Sequence, residues 1–570
     1  MITDELEEIF SKNINELGYI GEYGKIATSN RAELCDYQCN DIFKISKEYH
    51  ENPVEIGEKI VEKIKSLTNY SDYFDNVEFS KPGFINITLS NTFINKHVLN
   101  IITKYNLGVE QSKSERIYFL DYGGPNIAKP LHVGHLRAAI IGESLKRIIE
   151  FKGYKTVGDV HLGDYGLQIG QVIYGLLDDF KGTASKDIVF DLAYLDELYP
   201  RMSKLCKEDE EVLKSAQRIT KDLQDGNEDY QILWKKICEL SSADIKEIYK
   251  FLDVSFTLWN GESDSYPYIP KIIKYLEDKN LIELSEGAKI VQVGEETDAK
   301  EMPPFILQKS DGAFLYSTTD LATIYERMEK YNPSHILYVV DARQKLHFEQ
   351  LFRVCKKSLL VTDTSLEHIG FGTVNGVDGK PFKTRDGGSL KLTDLFLQVR
   401  EEFINKKESN QEMSFEDVDK IVNAIIKFAD LQNSLENNYI FDIKKFSDVI
   451  GKTGPYILYT YLRINKILSS ENYNINLSNQ IYNIYDRNLR LKLLELNSYI
   501  DKAFNERKPS FVADYVYELC VTANAFYQNN YIVNLEDNEN KSDWLSVLNI
   551  SNQVIKKMLE LLIIEIPTQM

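Results

Sequence analysis

At 570 residues the chain is too long for one hydrophobic core, and its length predicts three or four domains. Its composition, 43% hydrophobic and 27% charged, is globular, with no apolar run long enough to cross a membrane and no secretory signal pattern after Met1. A formal net charge of −20 argues against binding nucleic acid over the whole surface, although local basic patches can oppose the global sign.

Residues 1–110 read as one unit, opening with helical patterning and ending in a turn and a strand-like alternation over 79–89. Cys35 and Cys39 fall at a spacing that shares a helix face. With Cys206, Cys238, Cys355 and Cys520 they form no CxxC pair, which suits free thiols in a reducing compartment. Residues 111–115 are a polar linker.

The apolar run 117–120 leads into Gly-Gly-Pro-Asn-Ile-Ala-Lys-Pro-Leu-His-Val-Gly-His-Leu-Arg at 123–137. Leu136, Ile140, Leu145, Ile148 and Ile149 then recur at helical spacing. A strand that feeds a helix N-terminus through glycines makes an anion site, because free backbone N–H groups and the positive helix end converge there. His132 and His135, three apart, are expected on one helix face, with Gly134 offering bare backbone to a flat base. The pattern suits a nucleoside triphosphate. Histidines that merely cap the helix are the alternative. A zinc half-site fits less well, since helical pairs are usually i, i+4 and no further ligands stand nearby.

Strand, helix and strand over 116–175, with Asp159 to Asp164 at the end of the second strand, predict a parallel α/β sheet. Residues 176–255 are helical and charged and read as a solvated insertion. Strand-type runs at 289–293, 305–308, 336–340 and 369–374 are expected to resume the same sheet. Between them Tyr316, Asp320 and Gln344 supply a phenol, a carboxylate and an amide near strand ends, acceptors of the kind a guanidinium fork needs. By position alone Asp320 also reads as the N-cap of a helix starting at Leu321. Residues 376–388 form a glycine-rich loop with Lys380, Lys383 and Arg385, suited to gripping phosphate but lacking Walker spacing. Everything after about 395 looks helical. The tail 456–570 is nearly neutral, 11 Lys/Arg against 13 Asp/Glu, and rich in Tyr and Asn, side chains that stack on and hydrogen-bond to bases.

The fifteen residues 123–137 resemble the ATP signature of arginyl-tRNA synthetases, in which Pro-Asn-Ile-Ala-Lys-Pro leads into the histidine pair. Residues 376–388 are similar to that family's degenerate form of the class I Lys-Met-Ser-Lys-Ser loop. The resemblance extends over 81–89, 223–234, 427–431, 451–459 and the Pro-Thr-Gln-Met ending. It implies a class I, Rossmann-like parallel-sheet catalytic domain over 111–395 with its helical insertion at about 176–255. Around it would lie an N-terminal α+β add-on domain over 1–110 that meets the tRNA elbow, a helical connector over 396–455 and an all-α anticodon-binding domain over 456–570.

Carried over residue by residue, the resemblance implies catalysis by His132, His135 and Lys383. ATP would be bound by these with Pro125, Lys129, Gly134 and Lys380. Asp121 and Asn126 would hold the α-amino and carboxylate end of arginine, and Tyr316, Asp320 and Gln344 its side chain. Phe84, Asn86, Tyr459, Tyr527 and Met570 would contact tRNA. The implied function is arginine–tRNA ligation in the cytoplasm by a monomer that uses ATP with Mg²⁺, L-arginine and tRNA(Arg). No DNA, membrane, structural metal or tightly bound cofactor is expected. Two rival readings remain: a small-molecule nucleotidylyltransferase using the same histidines, which would not need the long C-terminal domain, and a catalytically dead tRNA-binding paralogue, which predicts damaged motifs.

Overall fold

The computed structural model describes residues 2–29, 31, 33–380, 382, 390–406, 413–478, 480–532, 535 and 537–570. Its N-terminal unit wraps helices around a four-stranded antiparallel sheet. The strands are β1 (Ile26–Thr28), β2 (Tyr37–Cys39), β3 (Phe74–Ser80) and β4 (Phe84–Leu89), in the order β1-β2-β4-β3. The helix Ile2–Glu16 buries Leu6, Phe10 and Ile14 at i, i+4 spacing, and Pro53–Lys65 buries Ile56, Ile60 and Ile64. Asn52 caps the second of these by accepting from the Val54 N–H, with proline at the first helical position. The alternation over 79–89 belongs to the hairpin β3–β4, as expected from sequence. Cys39 lies on a strand, so the shared helix face expected for Cys35 and Cys39 does not exist.

The catalytic unit is built on four parallel strands, β5 (Ile117–Tyr122), β6 (Lys155–Asp159), β10 (His335–Asp341) and β11 (Ser365–Phe371), in the order β11-β10-β5-β6. Asp121 pairs with Asp159 on one side and with Tyr338 on the other, and Tyr338 with His368, so four polar side chains stand in one row near the carboxyl ends. Those ends are where an open α/β sheet forms its crevice. Of the strand runs expected to rejoin this sheet, 336–340 and 369–374 do so within β10 and β11, whereas 289–293 and 305–308 do not. β7 (Glu283–Ser285), β8 (Ala288–Val291) and β9 (Phe305–Gln308) make a separate antiparallel sheet. A two-residue turn joins β7 to β8, and such a link returns the chain antiparallel, whereas a parallel neighbour needs a long crossover.

The insertion is helical, as expected. Leu192–Glu208, Glu210–Gln224 and Glu228–Phe251 stack on Leu167–Asp179, with Ala216, Ile219 and Leu223 turned inward and the charges outward. Among the described residues after 395 the regular elements are helices apart from β13 (Tyr439–Ile440), which pairs in parallel with β12 (Val374–Asn375). The helices Leu392–Lys406 and Gly454–Ser469 run across the 395/396 and 455/456 boundaries expected from sequence. The C-terminal helices Ile484–Leu494, Leu496–Asn505, Ser510–Asn529 and Asn538–Leu561 pack on one another and reach back to the N-terminal unit. Arg487 donates to Asp36 at 2.6 Å and to the Leu89 carbonyl at 3.0 Å.

Candidate active site

The histidine segment begins where β5 ends. A Cβ on Gly124 would lie 2.7 Å from the carbonyl oxygens of Val160 and His161, so only glycine lets the two strand ends approach. Residues 125–127 are stitched to 163 by two backbone bonds, Gly163 N–H to the Pro125 carbonyl and Ile127 N–H to the Gly163 carbonyl, both 3.0 Å. The helix Val133–Phe151 follows.

His132 is the N-cap of that helix, one residue before it, so the two rings do not share a helical face as expected. Each cups the other's backbone. His132 Nδ1 accepts from the Gly134 N–H at 3.0 Å, and His135 Nδ1 accepts from the His132 N–H at 3.1 Å. The rings stack at 3.9 Å and 26°. A Cβ on Gly134 would fall 2.8 Å from His132 Cε1, which explains the glycine between them. Burial, with the charge of Lys129, pushes the His132 pKa down; burial, His132 and Lys129 bring that of His135 down to about 3. Both imidazoles are therefore neutral at physiological pH. Since each Nδ1 accepts, the proton sits on Nε2, and each ring offers one donor. The capping reading therefore holds, and it leaves the Nε2–H of each ring outside the capping bonds. Among the described residues no three His, Cys, Asp or Glu come together as a metal site.

A cleft of about 700 Å³ opens over the strand ends. His132, Gly134, His135, Asp121, Asn126, Tyr316, Asp320 and Gln344 all line it, so the structure brings the expected nucleotide and amino-acid groups into one space. Pro125, Lys129 and Lys380 do not line it; Lys380 stands exposed, its N–H bonded to Asp378 Oδ1 at 3.0 Å. Lys383 and Arg385 lie outside the described residues. The return from that loop is nonetheless pinned to the histidine segment, Val133 N–H to the Leu390 carbonyl at 3.1 Å and Leu392 N–H to the Leu131 carbonyl at 3.0 Å.

The floor is a buried charge cluster. Arg327 donates to Asp121 Oδ2 at 2.6 Å, to Asp159 Oδ2 at 2.9 Å and to the Tyr338 hydroxyl at 3.2 Å, and lies 4.4 Å over the Phe119 ring. Burial raises the Asp121 pKa while Arg327 opposes the rise. Two carboxyl groups share this one guanidinium. Asp121 lines the cleft as expected, yet one of its oxygens is already committed to Arg327.

At the far wall Tyr316 and Asp320 stand four apart on the helix Tyr316–Tyr331. Leu315 occupies the N-cap and Asp320 is the fifth helical residue, so the capping alternative for Asp320 is overturned. Its Oδ2 instead lies 2.6 Å from His347 Nε2. Tyr316 is 61% exposed. Sequence reasoning missed Glu262, in the short helix Glu262–Ser265, which lines the same wall. Burial raises its pKa to about 7, with His161 opposing and Asp320 and Asp164 adding to the rise. It also missed His161, which sits at φ +45° with both ring nitrogens unpartnered among the described residues and lines the cleft. Neither stands in a motif. Glu262 arrives through backbone pairing of 258–262 with 160–162, a contact between segments about a hundred residues apart.

The expected tRNA contacts are placed elsewhere. Phe84 is half-buried, edge-on to the exposed Phe43 ring at 6.2 Å. Asn86 is only 5% exposed, and its Oδ1 accepts from Gln38 Nε2 at 2.8 Å. The cross-strand pairing of Gln38 with Asn86 turns that amide away from solvent. Tyr459 is exposed, Tyr527 lies 4.4 Å from the Arg463 guanidinium, and Met570 packs on the helical core behind Thr568, which Asp417 anchors by two 2.7 Å bonds.

Three family descriptions match successive parts of the chain. "Arginyl tRNA synthetase N terminal domain" matches residues 4–89, "tRNA synthetases class I (R), catalytic domain" 97–443, and "DALR anticodon binding domain" 457–570. Arginine–tRNA ligase of Alkaliphilus oremlandii is 41% identical over 586 aligned positions, covering 99% of this chain and 98% of that one. The Agathobacter rectalis arginine–tRNA ligase is also 41% identical, covering 99% of each chain. The crystal structure of Plasmodium falciparum arginyl-tRNA synthetase superposes with a TM-score of 0.84 at 28% identity, covering 100% of this chain and 99% of that one.

Proposed function

This chain belongs to the class I arginyl-tRNA synthetases, and from that premise we propose how its cleft divides the reaction among its residues. The activity is ATP-dependent: arginine is activated to arginyl-adenylate with release of pyrophosphate, then passed to the 3′-terminal ribose of tRNA(Arg).

The triphosphate lies across the start of the helix Val133–Phe151. An arginine carboxylate oxygen attacks the α-phosphorus in line, and pyrophosphate leaves. Negative charge grows on the phosphoryl oxygens as it does so. His132 and His135 meet it with preorganised Nε2–H donors whose other nitrogens are locked by backbone, and this pairing is the observation that carries the reading. Lys129 adds positive charge beside them, Pro125 holds the approach backbone, Gly134 bares it for the adenine, and Lys380 and Lys383 take the departing pyrophosphate. Catalysis is positioning and electrostatics, with no covalent enzyme nucleophile. Asp121 and Asn126 hold the α-amino and carboxylate end. Tyr316, Asp320, Glu262 and Gln344 surround the guanidinium, where a planar fork fills two acceptors that an ammonium fills poorly.

Mg²⁺ enters with ATP as part of the substrate. Phe84 and Asn86 would meet the tRNA elbow, and Tyr459, Tyr527 and Met570 the anticodon loop. The working unit is a cytoplasmic monomer acting on neither DNA nor a membrane; no helix among the described residues is long and apolar enough to cross one. Its division follows the expected order of an N-terminal unit, a catalytic unit with the insertion 176–255, a helical connector and an anticodon-binding unit, with the last two boundaries moved off the helices that cross 395/396 and 455/456. Pyrophosphate exchange measured with each amino acid, with and without tRNA(Arg), tests the reading. Exchange is expected only with ATP, arginine and tRNA together. Robust exchange without tRNA overturns that order, and preference for another amino acid overturns the assignment of the guanidinium wall.

A further inference from the structure

Asp320 carries its carboxylate on a single methylene, so nothing in its own side chain fixes the carboxylate plane. A guanidinium fork is selective only when that plane is fixed, because its N–H groups are coplanar. The structure supplies one device that fixes it. His347, on the helix Lys345–Lys357, brings Nε2 to 2.6 Å from Asp320 Oδ2. Among the described residues no other group hydrogen-bonds to this carboxylate. The imidazole is itself held. Its side chain is 10% exposed, with the Tyr316 ring at 4.8 Å and 52° and the Phe348 ring at 5.0 Å and 70°. Tyr316, Asp320 and Phe348 line the cleft and His347 does not, so His347 reaches a ligand through these neighbours, of which Asp320 is the one it hydrogen-bonds.

We propose that His347 is a positioning residue for arginine: it holds the Asp320 carboxylate in the plane that receives the guanidinium. The inference rests on Asp320 being the guanidinium acceptor. Residue type supports it. An imidazole can donate this bond without carrying a charge, leaving the carboxylate its full negative charge for the substrate, whereas a lysine or arginine in the same place would cancel it. The bond occupies Oδ2, and among the described residues Oδ1 accepts no hydrogen bond.

The test measures kcat and KM for arginine and for ATP by tRNA-dependent pyrophosphate exchange on the full chain. The variants are Asp320→Asn, His347→Leu and His347→Gln. Leucine fills the space without donating; glutamine places an amide N–H about where Nε2 sits. Loss of a hydrogen bond to a charged group is expected to raise the arginine KM about tenfold in His347→Leu, with the ATP KM within about twofold of wild type. His347→Gln should recover most of that loss. The proposal falls if Asp320→Asn raises the arginine KM and His347→Leu does not, or if glutamine is as damaging as leucine, which would make His347 a packing residue. If Asp320→Asn leaves the arginine KM unchanged, it is the assignment of Asp320 that fails, and His347 loses its role with it. Should His347→Leu not fold, His347→Gln against His347→Asn, whose shorter amide cannot reach Asp320, decides the same question: equal arginine KM values overturn the proposal.

Discussion

Arg490 and Asn95, 395 positions apart in the chain, meet at 2.7 Å inside the protein, the guanidinium Nη1 donating to the amide oxygen. Asn95 in turn donates to the Ser478 carbonyl at 2.6 Å. The same guanidinium holds Asp486 at 2.7 Å and Asp543, all three side chains almost fully buried. The first and last units of the chain are therefore latched directly to each other, beside the catalytic unit.

Removing the shared cation would leave two buried carboxyl groups without a counter-charge, held only by neutral donors from Tyr482, Trp544 and Ser478. Arg490→Ala is expected to lose about 3–5 kcal/mol of stability, the usual result of breaking a buried pair from one side. Differential scanning calorimetry or urea unfolding checks this. A melting temperature unchanged from wild type would show that the two aspartates find other partners.

The histidine pair makes a sharper prediction, because capping and catalysis use different atoms. His132→Asn keeps an N-cap oxygen for the Gly134 N–H but has no donor where Nε2–H stands. It should fold with near wild-type stability, while pyrophosphate exchange falls about 10²–10³-fold, the loss typical of one preorganised donor. His132→Ala should lose the same activity and in addition about 1 kcal/mol of stability. Near wild-type turnover in a folded His132→Asn would remove the ring from the chemistry.

Glu262 predicts a pH dependence of arginine binding. Its pKa is raised to about 7 chiefly by burial. Between its unfolded value and pH 7 the folded state without substrate holds the extra proton, so ionising this group as pH rises through that window costs stability. A guanidinium beside it favours the ionised form and lowers the pKa. Arginine binding should therefore release a proton near pH 7, and the arginine KM should fall as pH rises from 6 to 8. Titration calorimetry in buffers of different ionisation enthalpy reads the proton. Glu262→Gln should abolish both effects, and proton release that persists in this variant would assign it to another group.

Lys427 predicts a slope in stability itself. Fully buried, it donates to the Ile563 carbonyl at 2.7 Å, and burial brings its pKa down to about 7 despite nearby Asp253. Above pH 7 the unfolded chain holds a proton on this lysine that the folded chain does not, so this group makes stability rise with pH up to its unfolded value near 10. In Lys427→Met that contribution disappears. Urea midpoints at pH 7, 8 and 9 for both proteins decide; parallel curves would place the titration elsewhere.

The sequence by itself determined what depends on short, local patterns. The segment 123–137 announced a strand feeding a helix N-terminus, and the structure brings its two histidines, Asn126 and Gly134 into the cleft. Amphipathic spacing marked the insertion and the C-terminal helices, because a helix buries one face whatever lies opposite. Tertiary structure decided the rest. Strand composition is the same in a parallel or an antiparallel neighbour, so only pairing partners show that β7, β8 and β9 leave the main sheet. Asn86 finds its partner in Gln38, 48 residues away, which no local pattern shows. By position alone Asp320 also read as a cap, and only the fold shows it inside a helix with His347, 27 residues on, at its carboxylate, and Glu262 entered the cleft through pairing with 160–162. The protonation of His132 and His135 follows from desolvation and the charge of Lys129, and desolvation is a property of the folded surroundings that no spacing of residues along the chain encodes.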